Sequence, residues 1–199
     1  MKIRVALIDM DGTLWNGSLD WPQIRREIGL PQDARPILHH LQGMPNEERV
    51  RGLRILNRHE VNGVKNGELI PGAHNLLRYI RGVGIKCALV TNNSRANVEE
   101  ILTQHRLFFD LVLTRDDVAF KPNPEAFLKA LERLNGCPEE AVVIGDSHLD
   151  LLAAHRAGIE TVILVHTEAW MQPLLPQDVS FKQASGLSEV KTILTRLLD

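Results

Sequence analysis

The 199 residues suit one sizeable domain, or a core domain with a small insert. A hydrophobic content of 44% with 24% charged residues is typical of a globular protein, and the formal net charge of −2 argues against a general nucleic-acid binder. The sequence has no apolar run of the roughly 18 residues that a membrane span needs. Two cysteines are too few for a disulfide framework. Because the first strand is expected almost at Met1, we expect no signal peptide, a cytoplasmic location and no membrane partner.

The first predicted strand, residues 5–8, is apolar on both faces and is followed by two carboxylates. Such a run is typical of a central parallel strand covered by helices on both sides. Asp9 and Asp11 are spaced i,i+2, which in extended chain directs both side chains the same way. Two neighbouring acids at the end of a buried strand are costly unless a cation binds them. A calcium loop also begins Asp-x-Asp-Gly, but Leu14 and Asn16 occupy later positions and a strand precedes the acids, which disfavours that alternative.

Residues 15–70 show helical spacing without strand-like alternation, which predicts an all-helical insert. One helix is expected to begin after Asp20 and end at Gly29, and a second is expected over residues 33–42. Asn46 is expected to cap a third helix that ends near residue 61. We therefore expect a core domain formed by residues 1–14 and 71–199, and a helical domain of residues 15–70 inserted after the first strand.

From residue 71 onward, helices and strands alternate. Further strands are predicted at residues 85–90, 111–113, 141–144 and 161–165, with an edge strand at 179–181. Helices are predicted at residues 71–81, 94–105, 124–134, 149–157 and 187–198. This alternation predicts the α/β class, with a doubly wound parallel sheet.

Polar side chains follow several of these strands at the point where each strand ends. Asp9 follows the first, Thr91 and Asn92 follow the second, and Asp146 and Asp150 follow the fourth. Ligands of such sheets bind outside the carboxyl ends of the strands. We therefore expect these side chains to converge on one site.

Four short motifs, in this order, resemble those of the haloacid dehalogenase superfamily, whose members are mostly phosphatases with a Rossmann-like core. They are Asp9-Met10-Asp11-Gly12-Thr13-Leu14, Val90-Thr91-Asn92-Asn93, Lys121 in Phe120-Lys121-Pro122-Asn123-Pro124, and Gly145-Asp146-Ser147-His148-Leu149-Asp150. The resemblance implies that Asp9 attacks phosphorus to form an aspartyl-phosphate, and that Asp11 is the general acid and base. It also implies that Thr91, Asn92 and Lys121 bind the phosphate.

The resemblance further implies a Mg²⁺ cofactor at the acidic residues. Asp9, Asp146 and the main-chain carbonyl of Asp11 are then the direct ligands, and Asp150 orients a bound water. The true dehalogenases of this superfamily lack the second acid, because a halide leaving group needs no proton. The presence of Asp11 therefore indicates a phosphatase.

The insert resembles the small helical cap of phosphoglycolate-phosphatase-like members. Its loop at residues 41–48 resembles the cap loop that faces the substrate, so Gly43, Pro45, Asn46 and Glu47 are candidate specificity residues. The expected substrate is a small phosphorylated metabolite, and the expected state is a monomer or homodimer. A phosphomutase similar to β-phosphoglucomutase, a pyrophosphatase, and a non-catalytic phosphate-binding module are the alternatives.

Overall fold

A computed structural model describes residues 3–33, 35–166, 174–176 and 178–198. The chain divides into two compact units, a core unit of Met1–Trp15 with Leu69–Asp199 and an insert unit of Asn16–Glu68. None of the described helices is long and apolar enough to cross a membrane. The elements are, in chain order, β1 (Val5–Ile8), β2 (Trp15–Asn16), α1 (Trp21–Ile28), α2 (Ile37–Gln42), α3 (Asn46–Asn66), β3 (Glu68–Leu69), α4 (Ala73–Gly82), β4 (Lys86–Val90), α5 (Arg95–His105), β5 (Leu111–Leu113), α6 (Glu125–Leu134), β6 (Ala141–Gly145), α7 (His148–Arg156), β7 (Thr161–Val165), β8 (Lys182–Ala184) and α8 (Leu187–Leu198).

In the described part of the core unit, six parallel strands form a sheet in the order β5-β4-β1-β6-β7-β8. Val5 and Leu7 of β1 pack in one hydrophobic cluster with Phe127 of α6 and Leu151 of α7. The intervening Ala6 is equally buried. Helix α4 contacts β4, and helix α8 contacts β7. The predicted doubly wound parallel sheet is therefore confirmed.

The register of the central strands places the expected site residues at one edge of the sheet. Ile8, the last residue of β1, pairs with Leu89 of β4 and Ile144 of β6. The Asp9 amide donates to the Ile144 carbonyl at 2.9 Å, which continues the ladder by one residue. Asp9, Thr91 and Asp146 therefore leave their strands within one residue of the same level.

The edge strand was predicted three residues too early. Residues 182–184 pair with β7, and Ala184, opposite Val165, is almost fully buried. Val179 and Phe181, which suggested the strand, instead pack their side chains against the hydrophobic cluster of the core. Apolar character marked the segment correctly, but the backbone pairing uses the three residues that follow it.

The insert unit contains α1, α2 and α3, packed around Ile24, Ile28, Leu41 and Leu56. Asp20 caps α1 as expected, since its Oδ1 accepts from the Gln23 amide at 2.9 Å.

Three local expectations for residues 15–70 were wrong. Helix α2 begins at Ile37 rather than at residue 33, because Pro36 disfavours helical geometry for the residue before it. Asn46 is the first residue of α3 and not its cap, and the helix continues to Asn66. The segment is not wholly helical either, because β2 and β3 pair as a two-stranded ribbon. Strands of two residues are too short to show a period of two.

Candidate active site

Lys121 connects two acids that are distant in sequence. Its Nζ atom lies 2.6 Å from Asp9 Oδ1 and 2.6 Å from Asp150 Oδ1. All three side chains are almost completely buried. The other oxygen of Asp150 accepts hydrogen bonds from the Ser147 amide at 3.2 Å and from Ser147 Oγ at 2.7 Å. Asp150 is thus fixed in the first turn of α7 and holds the lysine beside Asp9.

Two glycines make room for the carboxylates of Asp146 and Asp150. A Cβ atom on Gly12 would lie 2.0 Å from Asp146 Oδ2, and one on Gly145 would lie 2.4 Å from Asp150 Cγ. Gly12 also has a φ of +81°, which favours glycine. The turn after β1 can therefore approach Asp146 closely only because position 12 has no side chain.

Burial and mutual repulsion govern the charges of this cluster. Burial raises the pKa of Asp9 to about 7; the positive charge of Lys121 opposes this, and the negative charges of Asp150 and Asp11 add to it. Burial also raises the pKa of Asp146 well above its usual value, with Asp9 and Asp150 contributing in the same direction. Burial by itself would lower the pKa of Lys121, but Asp150 and Asp9 raise it, so the lysine stays charged.

The arrangement fits a bound cation. Asp9, Asp146 and Asp150 each offer a carboxylate oxygen, and these atoms lie within 4.8 Å of one another. One lysine charge does not balance three carboxylates, and their mutual repulsion adds to the burial that raises the pKa values of Asp9 and Asp146. Oxygen-only donors of this kind suit a hard divalent ion.

The side chain of Asp11 lies against the loop after β4. Asn93 Nδ2 donates to both of its oxygens, at 3.2 and 3.1 Å, and Thr91 Oγ1 lies 3.5 Å from Oδ2. Asn93 is held in turn, because its Oδ1 accepts from the Ser94 amide and from Asn97 Nδ2. Burial raises the pKa of Asp11, whereas the Asn93 hydrogen bond acts in the opposite direction. The sequence placed Asn93 in the second motif but assigned no role to its side chain.

The side chain of Asn92 holds the loop that carries Lys121. Its Oδ1 accepts from the Lys121 amide at 2.8 Å, and its Nδ2 donates to the Lys121 carbonyl at 3.0 Å. The structure therefore brings Asp9, Asp11, Thr91, Asn92, Lys121, Asp146 and Asp150 together at one edge of the sheet. The four candidate specificity residues belong to the insert unit: Gly43 ends α2, Pro45 precedes α3, and Asn46 and Glu47 begin it.

Residues 3–158 match the family model of the haloacid dehalogenase-like hydrolases. Pyrophosphatase PpaX of Bacillus cereus (strain G9842) is 34% identical over an alignment of 218 positions, which covers 98% of this chain and 100% of that protein. Among solved structures, a protein from Thermotoga maritima described provisionally as a β-phosphoglucomutase is 25% identical, with a TM-score of 0.72 and coverage of 98% and 100% of the two chains. A hydrolase from Pseudomonas syringae shares the fold at 20% identity and a TM-score of 0.75, over 96% of this chain and 97% of that one.

Proposed function

Because the chain belongs to the haloacid dehalogenase-like hydrolase family, we propose that it is a Mg²⁺-dependent phosphatase of small phosphorylated metabolites. The observation that carries this proposal is the buried contact between Asp9 and Lys121, with Asp146 and Asp11 beside it. A nucleophilic carboxylate next to a fixed cation is what attack on a dianionic phosphoester requires.

Asp9 is the proposed nucleophile. Its attack on phosphorus forms an aspartyl-phosphate and releases the alcohol, and hydrolysis of this intermediate by water returns the free carboxylate. Lys121 holds one oxygen of Asp9 and places a positive charge where the phosphoryl group would bind. The Thr91 hydroxyl and the backbone amide of Asn92 are the further proposed phosphate donors. They stand at the loop before α5, where a helix N-terminus favours an anion.

Asp11 is the proposed general acid and base. Protonated, it donates a proton to the leaving oxygen; ionised, it accepts one from the attacking water. Hydrogen bonds from Asn93 and Thr91 fix the position of Asp11 beside the loop that follows β4, which carries the proposed phosphate donors. Its raised pKa suits a group that must carry a proton at one step and lose it at the next.

Asp9, Asp146 and the main-chain oxygen of Asp11 are the proposed ligands of Mg²⁺. When bound, the ion would neutralise the excess carboxylate charge and polarise the phosphoryl oxygens. The contacts of Asp150 with Lys121 and Ser147 support an indirect role, in which it holds the lysine. The resemblance to the family implies that Asp150 would also orient a water on the bound ion.

Pyrophosphate is a second candidate substrate, because the Bacillus relative is a pyrophosphatase at 34% identity. A phosphomutase is the other enzymatic alternative, supported by the 25% identity to the Thermotoga maritima protein. It would return the phosphoryl group of Asp9 to a sugar instead of to water. The retained Asp9, Asp11, Lys121 and Asp146 argue against a module that only binds phosphate.

The test is phosphate release from a panel of small phosphoesters and pyrophosphate with Mg²⁺. Asp9→Asn should lower kcat by more than about 10³-fold on every substrate, because an amide does not attack phosphorus. Asp178→Asn is the matched control, since Asp178 is an exposed acid of the core unit. Turnover by a folded Asp9→Asn protein at the wild-type rate would refute the mechanism. Mass spectrometry of acid-quenched enzyme should find the phosphoryl group on the Asp9 peptide.

A further inference from the structure

Arg115 lies at the same edge of the sheet as the candidate site, although none of the four motifs contains it. It follows β5, whose last residue, Leu113, pairs with Val90 in parallel register. The Thr91 amide donates to the Leu113 carbonyl at 3.0 Å, so the loops after β4 and β5 leave the sheet side by side. A long cationic side chain at position 115 therefore starts next to the proposed phosphate donors.

The guanidinium of Arg115 is held on the loop after β4. Its Nη1 atom donates to the main-chain oxygen of Asn92 at 3.1 Å, and its backbone amide donates to the Asn93 carbonyl at 3.3 Å. The side chain is half-buried and makes further interactions. Arg115 is thus a positioned cation, of the kind that loses little freedom when an anion binds to it.

A second arginine in this region has a different role. Arg95 donates to the Val112 carbonyl and pairs with Asp117, and so joins the start of α5 to the loop after β5. Arg115 instead donates to the main-chain oxygens of Asn92 and Asn93, and the Asn93 side chain donates to both carboxylate oxygens of Asp11. Of these two cations, Arg115 is the one bonded to the loop that holds the proposed acid and base.

The position of Asp11 defines the side on which the leaving group departs, because the acid that protonates the leaving oxygen must lie next to it. Because Arg115 is bonded to the loop whose Asn93 side chain holds Asp11, it lies on the side of the site where the part of the substrate attached to that oxygen would bind. Guanidinium groups bind carboxylates and phosphates through paired hydrogen bonds.

We propose that Arg115 binds a second anionic group of the substrate, on the leaving-group side of the reacting phosphate. This inference rests on the proposed phosphatase function and narrows its substrates. The preferred class is then small phosphoesters or phosphoanhydrides that carry a carboxylate or another phosphate close to the reacting phosphorus. Arg115 acts as a specificity residue and takes no part in the bond changes at phosphorus.

The test compares substrates that differ in that second charge. Phosphoglycolate carries a carboxylate, hydroxyethyl phosphate replaces it by an alcohol, and pyrophosphate supplies a phosphate instead. Arg115→Gln removes the charge but keeps a donor for the Asn92 carbonyl. Arg115→Lys keeps the charge but loses the paired hydrogen bonds. Arg4→Gln removes the same charge at the opposite end of β1, where the exposed Arg4 pairs with Glu140.

In Arg115→Gln, kcat/KM should fall about 10- to 100-fold on phosphoglycolate, on pyrophosphate or on both, mainly through KM. On hydroxyethyl phosphate it should change by less than about threefold. Arg115→Lys should recover part of the loss, and Arg4→Gln should match the wild type on all three. A loss on phosphoglycolate would identify the second group as a carboxylate, and a loss on pyrophosphate would identify it as a phosphate.

An equal loss on all three substrates would overturn the inference, because Arg115 would then only support the loop or Asp11. An unchanged kcat/KM on both doubly charged substrates would overturn it as well. If Arg115→Gln fails to fold, Arg115→Lys alone decides, since losing the paired hydrogen bonds should still weaken the charged substrates selectively. Failure of the proposed phosphatase function would give a different result, because the wild-type protein would then release phosphate from none of the three substrates.

Discussion

Asp150 Oδ1 accepts a hydrogen bond from Nζ of Lys121 at 2.6 Å, although 29 residues separate the two in the chain. The same ammonium group lies 2.6 Å from Asp9. Asp150 therefore sets the position of the cation that faces the proposed nucleophile, while Ser147 sets the position of Asp150. The reactive geometry depends on an acid that need not touch the substrate.

Asp150→Asn should lower kcat by about 10- to 100-fold, because supporting residues of metal and catalytic sites typically have effects of this size. The amide carries no charge to hold Lys121, and its nitrogen would meet the donors of Ser147. Steady-state kinetics of the purified variant measure this effect. Asp178→Asn serves again as the control, and an unaltered kcat in Asp150→Asn would show that Lys121 needs no such support.

Gly12→Ala should abolish Mg²⁺ binding and activity. The new Cβ would lie 2.0 Å from Asp146 Oδ2, and the φ of +81° is unfavourable for alanine. Gly82→Ala is the matched control, since a Cβ there meets nothing within 4 Å and position 82 ends α4. Isothermal titration with Mg²⁺ and a thermal melt measure both variants. Wild-type Mg²⁺ affinity in Gly12→Ala would mean that Asp146 is not a ligand.

The raised pKa of Asp9 predicts how pH affects the metal-free protein. Since that pKa is about 7 in the folded state and 3.8 for an unperturbed aspartate, the folded protein holds this proton more tightly than the unfolded chain. The resulting stabilisation is complete below the unfolded value and is lost as the pH rises through about 7. Asp146 acts in the same direction.

The melting temperature in chelator should therefore fall more steeply between about pH 5 and pH 8 for the wild type than for Asp9→Asn. Mg²⁺ should remove most of that difference and should release protons on binding near pH 7, because its ligands must be ionised. Identical melting curves for the two proteins across this range would contradict the buried, proton-binding state of Asp9.

The insert is expected to select among substrates without taking part in the chemistry. Glu47→Ala or Asn46→Ala should change the ratio of kcat/KM between two phosphoesters by more than about threefold. Asp9→Asn should instead stop all substrates equally. Glu132→Ala, at an exposed position of α6, is the control for the glutamate change. Unchanged ratios in both insert variants would remove Asn46 and Glu47 from the set of specificity residues.

The sequence by itself determined the class of the sheet and the edge at which the polar residues meet. Buried strands such as residues 5–8 are visible locally as short runs that are apolar on both faces, and parallel strands bring their carboxyl ends to one edge whatever their order. Asp9, Thr91 and Asp146 could therefore be placed together from the order of strands and polar residues along the chain. The resemblance of the four motifs to one family extended this to the proposed roles.

Only the tertiary structure decided how these residues hold one another. The pairing of Asn92 with the Lys121 peptide, of Asn93 with Asp11 and of Arg115 with Asn92 joins segments from different strands, and no local pattern encodes such distances. Arg115 looks in sequence like any solvated loop cation, because its neighbours along the chain say nothing about the β4 loop beside it. The tertiary structure also decided the position of β8. Pairing with β7 determines which three residues form this strand, and the apolar residues that precede β8 do not.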